Sequence, residues 1–179
     1  MNVAETPRLI IRPFEPTDAA DLFRIYSDAE TMRFLGNPAT SVEEERSNIE
    51  NHIRSYYDQY GFGLWAAILK SENRLIGRAG ILYQNIEGKT DPELAYLIDR
   101  NFCGRGLATE AASAVIQVAQ DVHHFSRMVA VIHPNNSGSI RVAVKCGFEF
   151  ENELMGYKDF GDVHLYSRQL HNAALASEN

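Results

Sequence analysis

The chain has 179 residues, of which 45% are hydrophobic, 23% charged and 10% aromatic, a balance that predicts one folded domain with a buried core and gives no sign of disorder. Its formal net charge of −7 provides no overall attraction to nucleic acid or to an anionic membrane. We therefore expect neither as a partner.

No targeting or membrane segment is predicted. The first residues lack a basic start followed by an apolar stretch, and no run of about 18 apolar residues occurs anywhere in the chain. The two cysteines, Cys103 and Cys146, have neither CxxC spacing nor zinc-like spacing to a histidine. These features predict a cytoplasmic protein with reduced thiols and no bound metal.

Sequence patterns in the first third of the chain predict one strand and two helices. Residues 8–13 form a short β-branched run that ends at a proline. A short helix follows an N-cap at Thr17 or Asp18, and a second helix follows the capping-box pattern at Ser41 and ends at Gly61. The acidic residues 43–45 suit the exposed first turn of that helix, where they favour the dipole or attract a cationic acceptor.

The middle of the chain predicts three antiparallel strands and a long helix. Residues 62–69, 75–83 and 93–98 are rich in aliphatic and aromatic residues and are separated by short polar turns. A glycine-bearing turn then leads into an amphipathic helix over about residues 108–122.

The remainder predicts a strand, a helix and two final strands, at residues 127–132, 137–146, 148–154 and 163–168. The element order is β-α-α-β-β-β-α-β-α-β-β. We expect a single domain over residues 1–171, followed by a frayed tail at 172–179.

The turn between the strand at 93–98 and the long helix is a candidate anion site. Gly104 and Gly106 permit a sharp backbone turn, and the first turn of the helix leaves unpaired N–H groups. Such N–H groups and the helix dipole bind a diphosphate, to which Arg105 adds a positive charge. The same glycines also suit a purely structural turn, so the loop alone leaves both interpretations open. A dinucleotide fingerprint and a P-loop are both absent.

Four separated segments give the sequence a resemblance to a known family. They are residues 5–13, residues 75–80, residues 93–109, and Pro134 to Ser139 with the following Lys145 to Phe148. In this order they resemble the GCN5-related N-acetyltransferases (GNAT), and among them the group of ribosomal-protein alanine and serine acetyltransferases. The resemblance implies an α/β (α+β) GNAT fold: a mixed, mostly antiparallel sheet, splayed between its fourth and fifth strands and flanked by about four helices.

The resemblance also implies acetyl-CoA as co-substrate and a set of binding residues. The family loop is Gln/Arg-x-x-Gly-x-Gly/Ala, and Cys103 departs from it at the first position. By resemblance the pyrophosphate is held by the loop, and the pantetheine arm pairs with the strand before it and contacts an asparagine. These residues are Arg105, Gly106, Leu107, Ala108 and Thr109 in the loop, Leu97 and Ile98 in the strand, and Asn136, for which a helix N-cap is the other interpretation.

Two residues are the predicted catalytic groups. Many family members carry a tyrosine as general acid where this chain has Ala143, so Ser139, which is common in the ribosomal-protein-like group, is our candidate acid. A primary amine must lose a proton before it attacks a thioester, and Glu93 is our first candidate for the base, with a surface strand end as the alternative. Tyr83, Tyr96 and Asp162 are weaker candidates.

The predicted function is transfer of an acetyl group, by direct attack in a ternary complex, to a primary amine of a ribosomal-protein-like N-terminus or of a small molecule. The alternatives are a non-catalytic acyl-CoA sensor and a regulator that binds a nucleotide. The sequence does not choose between a monomer and a homodimer.

Overall fold

The structure, a computed structural model, describes residues 1–170. The predicted domain end at His171 and the predicted tail at 172–179 lie outside the described residues. Within that part of the chain, no helix combines the length and apolarity needed to cross a membrane.

The described residues form one eight-stranded sheet flanked by helices. The strands are β1 Ala4–Glu5, β2 Leu9–Arg12, β3 Leu64–Leu69, β4 Arg74–Ile86, β5 Lys89–Ile98, β6 Arg127–Ile132, β7 Glu149–Leu154 and β8 Val163–Gln169. The helices are α1 Ala19–Tyr26, α2 Ala29–Met32, α3 Val42–His52, α4 Asp58–Tyr60, α5 Leu107–Asp121 and α6 Ser137–Lys145. A π-helical stretch over Ile53–Tyr57 joins α3 to α4.

The sheet has the order β1-β2-β3-β4-β5-β6-β8-β7 and divides into two halves. Neighbouring strands are antiparallel except β5 and β6, which run parallel. Only one register pair, Glu93 with Val129, joins these two strands. Beyond that point, towards Ile98, β6 offers β5 no register partner, and the predicted splayed, mostly antiparallel α/β sheet is confirmed.

Apolar side chains on the two faces of the sheet bury different helices. One face packs against α5, which buries Ala111, Ala112, Val115 and Ala119 there. The other face packs against α1 and α3, whose Leu22, Ile25 and Ile49 are buried with residues of β3 to β5. Because side chains of a strand alternate between faces, each strand in the middle of the sheet contributes to both cores.

The structure differs from the sequence prediction in several local features. β1 and α2 were not predicted, because two and four residues are too short to show a period. The predicted strands ending at Tyr83 and beginning at Glu93 continue towards each other as a hairpin, which turns at Glu87 and Gly88, both with positive φ. Glu45, expected on a solvated helix start, is buried instead.

Candidate active site

The loop before α5 has the geometry of an anion cradle. Gly104 and Gly106 have φ of 76° and 78°, a left-handed conformation that glycine adopts without strain. Gly106 is the N-cap of α5 and supplies no side-chain cap, and the first backbone hydrogen bond of the helix joins Glu110 N to Gly106 O. The N–H groups of residues 107–109 precede that bond, so they face outward without a helical partner.

Arg8 holds this loop against the start of the sheet. Its Nη1 donates to the carbonyl of Arg105 at 2.8 Å, and its Nε donates to Glu110 Oε2 at 2.6 Å. Thr6 Oγ1 also donates to Glu110, at 2.6 Å. Burial raises the pKa of Glu110, but these hydrogen bonds and the Arg8 charge outweigh it, so that the pKa lies below its ordinary value. The negative charge of Glu110, in the first turn of α5, is thereby balanced by the positive charge of Arg8 and repels an incoming phosphate less.

Arg105 is exposed and lies on the outside of the loop. Its Nη2 donates to Asn101 O at 3.2 Å, and its guanidinium stacks on the Phe102 ring. The side chain is thus attached to the loop that precedes α5, within reach of an anion bound there.

The divergence of β5 from β6 leaves a gap in the sheet. Leu97 and Ile98 pair with Arg78 and Gly77 of β4 on one side, whereas β6 offers them no register partner on the other side. Backbone groups of successive strand residues point to opposite edges, and the Leu97 carbonyl lies on the β4 side. Ile98 therefore presents its backbone groups to the gap, where its carbonyl accepts from the Cys103 thiol at 3.7 Å.

Glu93 lies at the point where the gap closes. Its side chain is buried, Gln84 Nε2 donates to it at 2.7 Å, and the backbone N–H of Val131 on β6 donates to it at 3.4 Å. Burial raises its pKa above the ordinary value of 4.5, against the lowering effect of these hydrogen bonds. A carboxylate in this setting has increased proton affinity, as a general base requires.

Gln84 extends this network to the loop between β7 and β8. Tyr157 Oη and Lys158 Nζ both donate to Gln84 Oε1. The amide of Gln84 is therefore oriented with its N–H group towards Glu93, which fixes the position of the carboxylate.

Ser139 and Tyr96 form a hydroxyl pair on the opposite face of β5. Ser139 Oγ donates to Tyr96 Oη at 2.9 Å, and Tyr96 Oη donates to the Ser139 carbonyl at 2.9 Å. Burial raises the pKa of Tyr96 to about 12, with the Ser139 hydrogen bond opposing it. Asn136 is the N-cap of α6, since its Oδ1 accepts from Ser139 N at 3.1 Å. Ala143 is fully buried one turn further along the same helix.

A cavity of about 360 Å³ opens on the Glu93 face of the sheet. It lies between α1, α3, the loop after α2, strands β4 to β6 and the loop before β8. Its charged side chains are Glu45, Arg78 and Glu93, and aromatic rings of Tyr26, Phe34, Tyr157 and Phe160 line it. Ala95 and Val131, which flank the gap, also face this cavity.

Besides Asn136 and Ser139 at the start of α6, the predicted site residues fall into three groups around the gap. The loop residues 105–109 lie beyond its open end, Leu97 and Ile98 form its edge, and Glu93 closes it. Of the weaker candidates, Tyr96 contacts Ser139, whereas Tyr83 packs in an aromatic cluster with Phe62 and Asp162 accepts from Gly156 N in a turn.

Sequence reasoning assigned no role to Arg8, Arg78 or Gln84. Arg8 and Arg78 stand in two segments that carry the family resemblance, but the partners of each are distant in the chain. Alternation along β4 places residues 78, 82 and 84 on one face, and this signal was available in the sequence. The register of β4 against β5 was not available from the sequence.

The sequence profile described as an acetyltransferase (GNAT) domain matches residues 8–149. An uncharacterised Bacillus subtilis protein, YkkB, is 31% identical over 93% of this chain and 95% of its own length. The Escherichia coli [ribosomal protein uS5]-alanine N-acetyltransferase is 29% identical over 85% of this chain and 80% of its own length.

Solved structures share the fold at lower identity. The ribosomal L7/L12 alpha-N-protein acetyltransferase RimL, solved in complex with coenzyme A, superposes with a TM-score of 0.79 at 18% identity, and the alignment covers 95% of this chain and 98% of RimL.

Proposed function

The chain belongs to the GNAT acetyltransferase family, and from that premise we propose that it transfers the acetyl group of acetyl-CoA to a primary amine by direct attack in a ternary complex. The observation that carries the proposal is the gap between β5 and β6, with an anion cradle beyond one end and the buried carboxylate of Glu93 at the other.

The residues present fit acetyl-CoA. The outward N–H groups at residues 107–109 suit a diphosphate, to which Arg105 adds charge. The backbone edge of β5 at Ile98, which has no register partner on β6, suits an amide of an extended pantetheine arm, and Leu97 beside it pairs with β4. Asn136, whose Oδ1 caps α6, still has its amide N–H group to donate to the arm. When bound, the co-substrate supplies an activated thioester.

Glu93 is the proposed general base. The incoming amine is protonated at neutral pH, and Glu93 Oε accepts one proton from it, directly or through a water. Gln84 and Val131 N hold the carboxylate in place during this transfer. These hydrogen bonds lower the pKa of Glu93, but burial raises it by more, so the carboxylate keeps the proton affinity that a base needs.

Ser139 is the proposed general acid. The transfer forms a C–N bond and breaks a C–S bond, so the departing sulfur needs one proton. Ser139 Oγ donates that proton after its hydroxyl turns away from Tyr96, and Tyr96 Oη, 2.9 Å away, replaces it from its own hydroxyl. As the C–N bond forms, the amine nitrogen loses a second proton, which reaches Tyr96 through water and restores its hydroxyl. The proton held by Glu93 returns to solvent, so the products are the acetylated amine, the CoA thiol and one released proton.

The proposal also covers compartment and acceptor class. Cys103 and Cys146 are both free thiols, in keeping with a reducing cytoplasm. The relationship to the uS5-alanine acetyltransferase makes a protein N-terminus one acceptor class, and the cavity of about 360 Å³ on the Glu93 face makes a small amine the other.

Two measurements test the proposal. Thermal unfolding with CoA, acetyl-CoA, ATP and NAD identifies the ligand of the cradle, because a ligand at a hundred times its dissociation constant stabilises the folded state by about 2.7 kcal/mol. We expect CoA and acetyl-CoA alone to raise the melting temperature. Release of CoA thiol in the presence of amines, with mass spectrometry of the products, then separates an enzyme from a sensor. Stabilisation by acetyl-CoA without acetylation of any peptide or small amine would contradict the proposal.

A further inference from the structure

Arg78 is the arginine side chain that lines the cavity on the Glu93 face of the sheet. It projects from the middle of β4, opposite Leu97 of β5, and is partly buried. Within residues 1–170 no carboxylate lies within 4.0 Å of its guanidinium. Other arginines of this protein are paired: Arg12 with Asp18 at 2.7 Å, and Arg24 with Asp99 at 2.9 Å.

The two carboxyl groups of the cavity make their hydrogen bonds elsewhere. Glu93 accepts from Gln84 and from the N–H of Val131. Glu45 bonds to Asn48, and burial raises the pKa of Glu45 above its ordinary value. Both carboxyl groups interact electrostatically with Arg78, but neither forms the bidentate ion pair, with two close oxygens, that a guanidinium prefers.

Tyr26 holds the guanidinium in a fixed orientation. The Arg78 Cζ lies 5.0 Å from the centre of the Tyr26 ring, a cation–π contact. The Tyr26 hydroxyl also shares a side-chain hydrogen bond with Arg78, and the remaining N–H groups of the guanidinium are left for an acceptor. A planar cation fixed in this way is suited to bidentate binding of a carboxylate or phosphate.

We propose that Arg78 binds an anionic group of the acceptor, so that the acceptor is a small amine that also carries a carboxylate or a phosphate. This inference rests on the proposed acetyl transfer. Glu93 faces the amine at one end of the cavity, and Arg78 faces the anion at the other end. In the pairing of β4 with β5, Leu82 is opposite Glu93 and Leu97 is opposite Arg78. The two positions are therefore four residues apart along the strands. At about 3.3 Å per residue, the two backbone positions are about 13 Å apart, and their side chains shorten the span that the ligand must bridge.

The size of the cavity favours a small molecule over a protein N-terminus. Its volume of about 360 Å³ is near the lower end of the range of about 300–1,000 Å³ typical of small-molecule sites. An acceptor of this size places its amine and its anion within the same cavity. A longer chain would have to leave through the mouth of the cavity.

The test uses matched pairs of amines with the full chain. Amino carboxylates from glycine to 6-aminohexanoate are compared with their amides, aminoalkylphosphonates separate phosphate-like from carboxylate ligands, and Ala and Ser peptide amides represent protein N-termini. Binding is measured by calorimetry in the presence of CoA, and acetylation by release of CoA thiol from acetyl-CoA.

We expect the best acid to be preferred over its amide by about tenfold or more, in dissociation constant and in kcat/KM. Arg78→Gln should reduce that ratio to near one, and Arg78→Lys, which keeps the charge without the planar fork, should retain part of it. Arg74→Gln is the matched control, because Arg74 is on the same strand but contacts Phe102 outside the cavity. It should leave the ratio unchanged.

The outcomes separate the two proposals. Arg78-dependent binding of acids without acetylation would support the anion site and contradict the proposed function. Acetylation of amines with no preference for acids would support the proposed function and overturn the anion site. A wild-type ratio near one, or peptide amides as the best acceptors, would also overturn the anion site, and neither result depends on how well the variants fold.

Discussion

The hydroxyl oxygens of Tyr96 and Ser139 lie 2.9 Å apart, although 43 residues separate the two in the chain. Tyr96 is on β5 and Ser139 is in the first turn of α6, and the two residues share both a side-chain bond and a bond to the Ser139 carbonyl. The acid candidate in α6 thus has a second ionisable group beside it, which β5 supplies.

We predict that Ser139→Ala lowers kcat by about a hundredfold while the apparent KM for acetyl-CoA changes less than twofold, because a positioned acid contributes to the transition state and not to cofactor binding. Ser137→Ala, an exposed serine in the same helical turn, is the control and should keep full activity. Full turnover by Ser139→Ala would remove the serine from the mechanism.

Tyr96→Phe should lower kcat less than Ser139→Ala does, because it removes only the group that resupplies the proton. The double variant should be no slower than Ser139→Ala alone, since residues that act in one relay are not additive. Rate measurements on the four proteins of this cycle test the relay, and independent, multiplicative losses would contradict it.

Glu93→Gln should reduce turnover and make it insensitive to acid. In the wild type, turnover should fall as the pH drops through the Glu93 pKa, which burial raises above 4.5. Rate profiles from pH 5 to pH 9 measure this, and Glu149→Gln, an exposed residue of β7, serves as control. An unchanged profile in Glu93→Gln would show that another group is the base.

Glu93→Gln should increase the stability of the folded protein at high pH, although it reduces turnover. A folded pKa above the unfolded value favours the protonated carboxyl, so this contribution to stability is present at acid pH and is lost as the pH rises through the folded pKa. Glu93→Gln, which stays neutral, should therefore melt at a higher temperature than the wild type at pH 8, and the difference should diminish towards pH 4. Melting curves at both pH values measure it, and a lower melting temperature at pH 8 would show that the hydrogen bonds to the carboxylate outweigh its burial.

Gly106→Val should raise the apparent acetyl-CoA constant about tenfold, because a β-branched residue resists the left-handed conformation and moves the N–H groups of the cradle. Gly88→Val is the matched control: its φ of 84° imposes the same strain in the β4–β5 hairpin, where a side chain meets no other atom within 4 Å. Both variants should lose about 1–2 kcal/mol of stability, but only Gly106→Val should lose affinity for CoA. Equal affinities would contradict the role of the loop.

The family resemblance implied the splay of the sheet, and local periodicity was sufficient to predict the main elements, such as the strand at 93–98 and the helix at about 108–122. It did not predict the contacts that complete the site. Glu45 was expected at a solvated helix start because its neighbours are acidic, but the packing of α3 over the sheet buries it. Likewise, the bond from Val131 N to Glu93 depends on how β6 meets β5, and strand pairing between distant segments has no local signal.

The single register pair between β5 and β6 has a mechanical consequence. Strands β6, β8 and β7 form a half-sheet whose backbone is joined to the rest of the sheet at one point, so local opening of this half does not require opening of the other strands. A ligand that fills the gap would act as a missing strand and connect the two halves. Amide hydrogen exchange in β6 should then slow when acetyl-CoA binds, while exchange in β3, three strands away from β6 in the sheet, should change little.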